Sequence, residues 1–151
     1  MEINNSSSST PLRSGTAING QVIEAGAATG IVLASTDPLS FWGGYDYHTG
    51  NIIDQRHPLA GQCAAGRILA LPFTRGSSST TSILLEAVKA ETAPAAIVTT
   101  SADSFFALAS IVADVMYGTP IPLIALDSAD FALLQTGQTV TIDEDGTIYL
   151  G

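Results

Sequence analysis

The chain is poor in the residues that build metal sites and covalent staples. Its 151 residues include one cysteine, Cys63, and two histidines, His48 and His57. A lone cysteine excludes an internal disulfide and suits a reducing compartment. It also excludes a self-held iron–sulfur cluster, which needs several thiolates, and the His and Cys positions lack zinc-site spacing. Lys and Arg number 5 against 14 Asp and Glu, for a net charge of −9. So few cations argue against nucleic acid as a partner. No apolar run is long enough to span a membrane. Met1 to Thr10 lacks the basic and apolar regions of a signal peptide. Residues 1–14 are read as a flexible polar arm before a single domain over 15–151, and the chain as cytoplasmic.

What the chain does have is apolar segments separated by turn residues. Gly15 to Glu24 alternates loosely, and Gly30 to Ala34 is a short apolar run. Asp37 to Asp46 holds the only Trp, two glycines and a proline, and reads as a structured loop. Thr49 to Ile53 turns into a brief strand. Gln55 to Gln62 is a loop, because a residue before proline avoids the helical region. The second half alternates strand and helix. Ile68–Leu71 is a strand, followed by a Ser-rich loop and a helix that stops near Glu91 before Pro94. Ala95–Thr100 is a buried strand. Asp103–Tyr117 is a helix with Phe106, Ala109, Ile111, Ala113 and Val115 partly on one face, closed by Gly118. Ile121–Leu126 is a strand whose early proline suits an edge or a strand end. Ala129–Leu134 is a short helix. Thr139–Ile142 and Thr147–Leu150 form a hairpin around Asp143-Glu144-Asp145-Gly146. That turn lacks the remaining ligands of a calcium loop. A β-rich first half packed on βαβα units gives an α/β domain of three layers, β/β/α.

The chemistry concentrates in Arg75-Gly76-Ser77-Ser78-Ser79-Thr80-Thr81-Ser82, between a strand and a helix. Free N–H groups and the dipole at a helix start favour anions. A hydroxyl held there loses its proton more easily than free serine does. The alternative is a simple cap, since Ser and Thr are ordinary N-cap residues. A Ser-His-Asp set can be drawn from Ser77, His57 and Asp54. However, no Gly-x-Ser-x-Gly elbow is present, and no Gly-Lys-Ser/Thr follows Gly76 as a P-loop requires. Arg56 and Arg75 are candidates for gripping a carboxylate or phosphate, or else surface ion-pair residues.

Several motifs then occur in order: Asp37-Pro38-Leu39-Ser40-Phe41-Trp42-Gly43-Gly44, Thr49-Gly50-Asn51-Ile52-Ile53-Asp54-Gln55-Arg56-His57-Pro58, Gly61-Gln62, Gly66-Arg67, Arg75-Gly76-Ser77-Ser78-Ser79 and Thr92-Ala93-Pro94-Ala95-Ala96-Ile97. From Gly15 to Leu126 the chain resembles the aconitase X family, specifically its small subunit or swivelling domain. The resemblance implies an aconitase-like swivelling domain that closes over a large subunit carrying the iron–sulfur cluster, with no cofactor in this chain. It places the family's catalytic serine, the base that takes a proton from substrate carbon, on Ser77. Arg75, Gly76, Ser78, Ser79, Arg56 and His57 are its implied substrate-binding surroundings. Aconitase itself has an arginine soon after the paired serines, where this chain has Ser79-Thr80-Thr81. Charge recognition then falls to Arg75 or to the large subunit, with Arg56 and Arg67 as further cations to face the loop.

The family implies two substrates: cis-3-hydroxy-L-proline, dehydrated to a pyrroline carboxylate, and 5-phosphomevalonate. Archaeal small subunits tend to carry Gly-Ser-Thr-Val-Gly-Ser in the loop. Gly76-Ser77-Ser78-Ser79-Thr80-Thr81-Ser82 is closer to the bacterial form and favours the hydroxyproline enzyme. A phosphohistidine carrier, which shares the layout, would need a histidine in the loop. A non-catalytic scaffold module would use the loop as a cap alone.

Overall fold

A computed structural model describes residues 16–74 and 79–151. The N-terminal arm read over 1–14 lies outside the described residues.

The apolar runs of the second half form strands buried on both faces, and a partly buried strand from the first half lies beside them. β3 (Ala28–Ala34), β6 (Ile68–Ala70), β7 (Ala96–Thr99) and β8 (Leu123–Ala125) lie side by side and parallel. Side chains alternate between the two faces with period two. Leu33, Leu69, Ile97 and Leu123 point into one core. Val32, Ile68, Val98 and Ile124 point into the other. With both faces covered, no polar alternation remains, and the strands read as continuous apolar runs.

The first core is roofed by α1 (Ser79–Ala90), α2 (Ser104–Tyr117) and the hairpin β4 (Tyr45–Asp46)–β5 (Asn51–Ile52). Phe41 stacks on Tyr45 with centroids 5.3 Å apart and meets Phe106 of α2 edge-on at 5.6 Å. The Tyr45 hydroxyl donates to the Thr92 carbonyl at 2.7 Å, tying the hairpin to the end of α1. Burial pushes its phenol well above the usual range, and the neighbouring Cys63 adds to the shift.

The second core lies inside a curled sheet. β9 (Thr139–Ile142) pairs antiparallel with β3, then β10 (Thr147–Leu150) with β9, and β1 (Ala17–Asn19) with β10. At the far side β2 (Gln21–Glu24) pairs with β8, giving the order β1-β10-β9-β3-β6-β7-β8-β2. The two outermost strands are consecutive in the chain and joined by Gly20 alone. The eight-stranded sheet therefore rolls into a near-barrel that Ile18, Ala70, Phe131, Leu134, Val140, Ile142 and Ile148 help to fill. This is the β/β/α arrangement expected.

Gly20 is where the roll closes. Its N–H donates to the Gly146 carbonyl at 3.0 Å. A Cβ there would run into Ile124 Cγ2 and sit 3.0 Å from Leu126 Cδ2. Overpacking of this kind costs about 1–3 kcal/mol. Gly20→Ala is expected to lower the urea midpoint of the purified chain accordingly; an unchanged midpoint would contradict closure at this residue.

Several boundaries differ from the sequence reading. Gly15 to Glu24, read as one alternating stretch, is two strands split at Gly20, because the chain passes there from one sheet edge to the other. Pro122 precedes β8 and marks its start, but β8 is not an edge, since β2 covers it. The short helix read over Ala129–Leu134 is α3 (Ser128–Phe131), begun one residue earlier because Asp127 caps it. On α2, Ile111 and Val115 are not core residues: they are 46% and 81% exposed. Five and nine residues after Phe106, they fall on the far side of a helix with about 3.6 residues per turn. The buried face is Phe106, Ala109, Ser110 and Ala113.

Candidate active site

Parallel strands place all their C-terminal ends on one edge, and in α/β sheets ligands bind there. Here that edge carries the segments after β3 (Ser35 to Ser40), β6 (Leu71 onward), β7 (Thr100 to Asp103) and β8 (Leu126, Asp127). The Ser-rich loop leaves β6, with β3 and β7 on either side. Arg75, Gly76, Ser77 and Ser78 lie outside the described residues.

On the entry side stands Thr74. Its backbone N–H and its hydroxyl both donate to Asp103 Oδ2, each at 2.8 Å. The other carboxylate oxygen of Asp103 accepts from the N–H groups of Phe105 and Phe106, at 3.0 and 3.2 Å, capping α2. Thr74 also bridges to Leu39 in the segment after β3. One step earlier, the Pro72 carbonyl accepts from Thr100 N–H at 3.1 Å and from Thr100 Oγ1 at 2.9 Å. On the exit side, Ser79 opens α1 and Thr81 Oγ1 donates to the Phe105 carbonyl at 3.0 Å. Among the described residues, no acidic residue lies in the first turn of α1.

His57 touches the segment after β3 on this edge. His57 is buried, and both ring nitrogens are used. Nδ1 accepts from Leu59 N–H at 3.1 Å, which leaves Nε2 to donate to the Asp37 carbonyl at 3.1 Å. The ring thus holds the segment that reaches Thr74 through Leu39. The drawn triad does not assemble: Asp54 Oδ1 accepts from Arg56 N–H at 3.0 Å, not from the His57 ring. Arg56 itself is exposed. Arg67 does not face the loop. It precedes β6, at the opposite end of that strand, and its guanidinium donates to the Ile31 carbonyl at 3.1 Å and the Cys63 carbonyl at 3.4 Å.

A polar cleft of about 350 Å³ lies on the same edge, lined by Asn19, Gln21, Thr100, Ser101 and Asp127 among others. An apolar one of about 350 Å³ lies beside the first turns of α1, between Trp42, Ile53 and Ile83. A larger cavity, about 490 Å³, is at the wrong end for this chemistry. It sits at the C-terminal ends of the helices, between Glu91 and Tyr117. Among the described residues no group of three or more His, Cys, Asp or Glu could hold a metal. Among them, too, no helix is long and apolar enough to cross a membrane.

Asp103 and Thr74 were missed as site residues. The Asp103-Ser104-Phe105 sequence signals a helix cap, but nothing local reveals that the second carboxylate oxygen reaches back to Thr74.

A rolled β/β/α domain whose parallel strands all end on one edge is the architecture of a swivelling domain. Residues 17–150 match the family described as the aconitase X swivel domain, and the chain belongs to that family. The crystal structure of Thermococcus kodakaraensis aconitase X in its holo form superposes with a TM-score of 0.80 at 34% identity. The match covers 91% of this chain and 99% of that one. A phosphomevalonate dehydratase small subunit from Methanothermobacter thermautotrophicus is 40% identical over 126 residues, covering 83% of this chain and 92% of its own. A cis-3-hydroxy-L-proline dehydratase from Pseudomonas aeruginosa is 42% identical over 106 residues, 70% of this chain but 18% of that protein. The chain thus spans nearly all of one kind of relative and under a fifth of another.

Proposed function

We propose that this chain is the small subunit of an aconitase X-type dehydratase, acting on cis-3-hydroxy-L-proline with a large subunit. What supports the reading is that Thr74 and Ser79, the described residues flanking the Ser-rich segment, stand at the C-terminal edge of the parallel strands, in a chain of this family. Ser77 is the proton acceptor. A serine is a weak base until its hydroxyl is ionised or its proton is shared. The dipole at the start of α1 and the positive charge of Arg75 both favour the alkoxide.

The substrate gives up the proton on its α-carbon to the ionised Ser77 Oγ and the C3–O bond breaks, the departing hydroxide becoming water with a proton that Ser77 gives up in returning to its ionised form. The resulting enamine tautomerises to the pyrroline carboxylate. An α-proton is weakly acidic, so the carboxylate must be held while the base sits close. Arg75 and the exposed Arg56 are the cations for that task. The iron–sulfur cluster belongs to the large subunit, since one cysteine cannot hold it here.

The second reading is the small subunit of a phosphomevalonate dehydratase, favoured by the coverage of 92% of the methanogen protein. The distribution of charge supports hydroxyproline instead. Of the five Lys and Arg, Arg67 is spent on backbone carbonyls and Lys89 sits in the last turn of α1, away from the loop. A phosphate ester asks for more positive charge than one carboxylate does. One preparation of the complex, assayed with both substrates, is expected to turn over cis-3-hydroxy-L-proline and not 5-phosphomevalonate. The reverse result would overturn the choice of substrate and leave the family unaffected.

A further inference from the structure

The geometry points to Asp103 as a positioning residue for the catalytic loop, acting through Thr74; the inference rests on Ser77 being the base. The two ends of the loop are moored to one place. At entry, both donors of Thr74 converge on Asp103 Oδ2 at 2.8 Å. At exit, Thr81 is bound to the carbonyl of Phe105, two residues along from Asp103. The first turn of α2 is therefore the common footing of residues 74 and 81. A carboxylate suits the task because it is acceptor-only and has two oxygens. Oδ1 is committed to the N–H groups of α2, and Oδ2 is left to take both donors of Thr74. An ordinary N-cap needs only the first oxygen.

A misplacement of about 1 Å at a reacting group can cost as much as a hundredfold in rate. A loop anchored at one end only is free to make such an error. The effect falls on the position of the base during proton transfer, so it appears in kcat and spares KM.

Asp103→Asn separates the two jobs. Asparagine caps helices as well as aspartate does, so α2 keeps its cap through Oδ1. The amide nitrogen then faces the N–H of Thr74, donor against donor, and the mooring is lost. In the complex with the large subunit, kcat is expected to fall at least about tenfold with KM within about threefold. Thr74→Val, which removes only the hydroxyl contact, should lower kcat by less, and Thr74→Ser should restore most of it. Melting temperature and Ser77→Ala are measured alongside. A lowered melting temperature with kcat unchanged per folded complex would make Asp103 a cap only and overturn the inference. So would full activity in both Asp103→Asn and Thr74→Val while Ser77→Ala is inactive. An active Ser77→Ala enzyme would instead remove the base, and this inference with it.

Discussion

Ser77→Ala is expected to lower turnover of the two-subunit enzyme by at least about a hundredfold, the usual scale for a positioned base. KM should change little, because binding the substrate carboxylate is the work of cations. Folding should be nearly intact, since Ser78 and Ser79 remain to cap α1 and a lost cap costs only about 1 kcal/mol. The control is Ser78→Ala. If that variant is inactive while Ser77→Ala works, the base is the next residue along. Full activity in both variants would make the loop a helix cap without chemistry. Steady-state turnover at saturating substrate, normalised to folded complex, reads all of these outcomes.

The sequence made some of this visible for physical reasons. Ile68–Ala70, Ala96–Thr99 and Leu123–Ala125 stand out because burial on both faces leaves continuous apolar runs. The end of α2 at Gly118 was legible because that residue has φ 65°, in the left-handed region glycine favours. The hairpin at Asp143 to Gly146 was legible for a similar reason, with Gly146 at φ 89°. The end of α1 near Glu91 was legible from Pro94, although its left-handed residue is Glu91 itself, at φ 63°, where sequence reasoning looks for glycine.

What the sequence concealed is long-range. Nothing near Gly20 says that β1 and β2 are the two edges of one sheet. Ile111 and Val115 look like core by composition, and only the phase of the helix places them outside. At the site, the motifs singled out the Ser loop and the Arg56-His57 segment, but not how they are joined. The route from His57 through Asp37 and Leu39 to Thr74, and on to Asp103, crosses the segments after three different strands. Its members are chosen by tertiary contact, so no local pattern records them.

The dependence of activity on both subunits is the second large expected effect. The proposed function puts the base on this chain and the cluster on the large subunit, so on that reading neither subunit alone contains a complete site. This chain by itself should fold, carry no stoichiometric iron and show no dehydratase activity. The large subunit by itself should carry the iron and yet be inactive, because no serine reaches the α-carbon. The most direct test is complementation: turnover of cis-3-hydroxy-L-proline is measured for a fixed amount of large subunit as this chain is titrated in. The account predicts activity that starts from the background rate, rises in proportion to added chain and levels off at an equimolar ratio. Full turnover by the large subunit before any of this chain is added would contradict it.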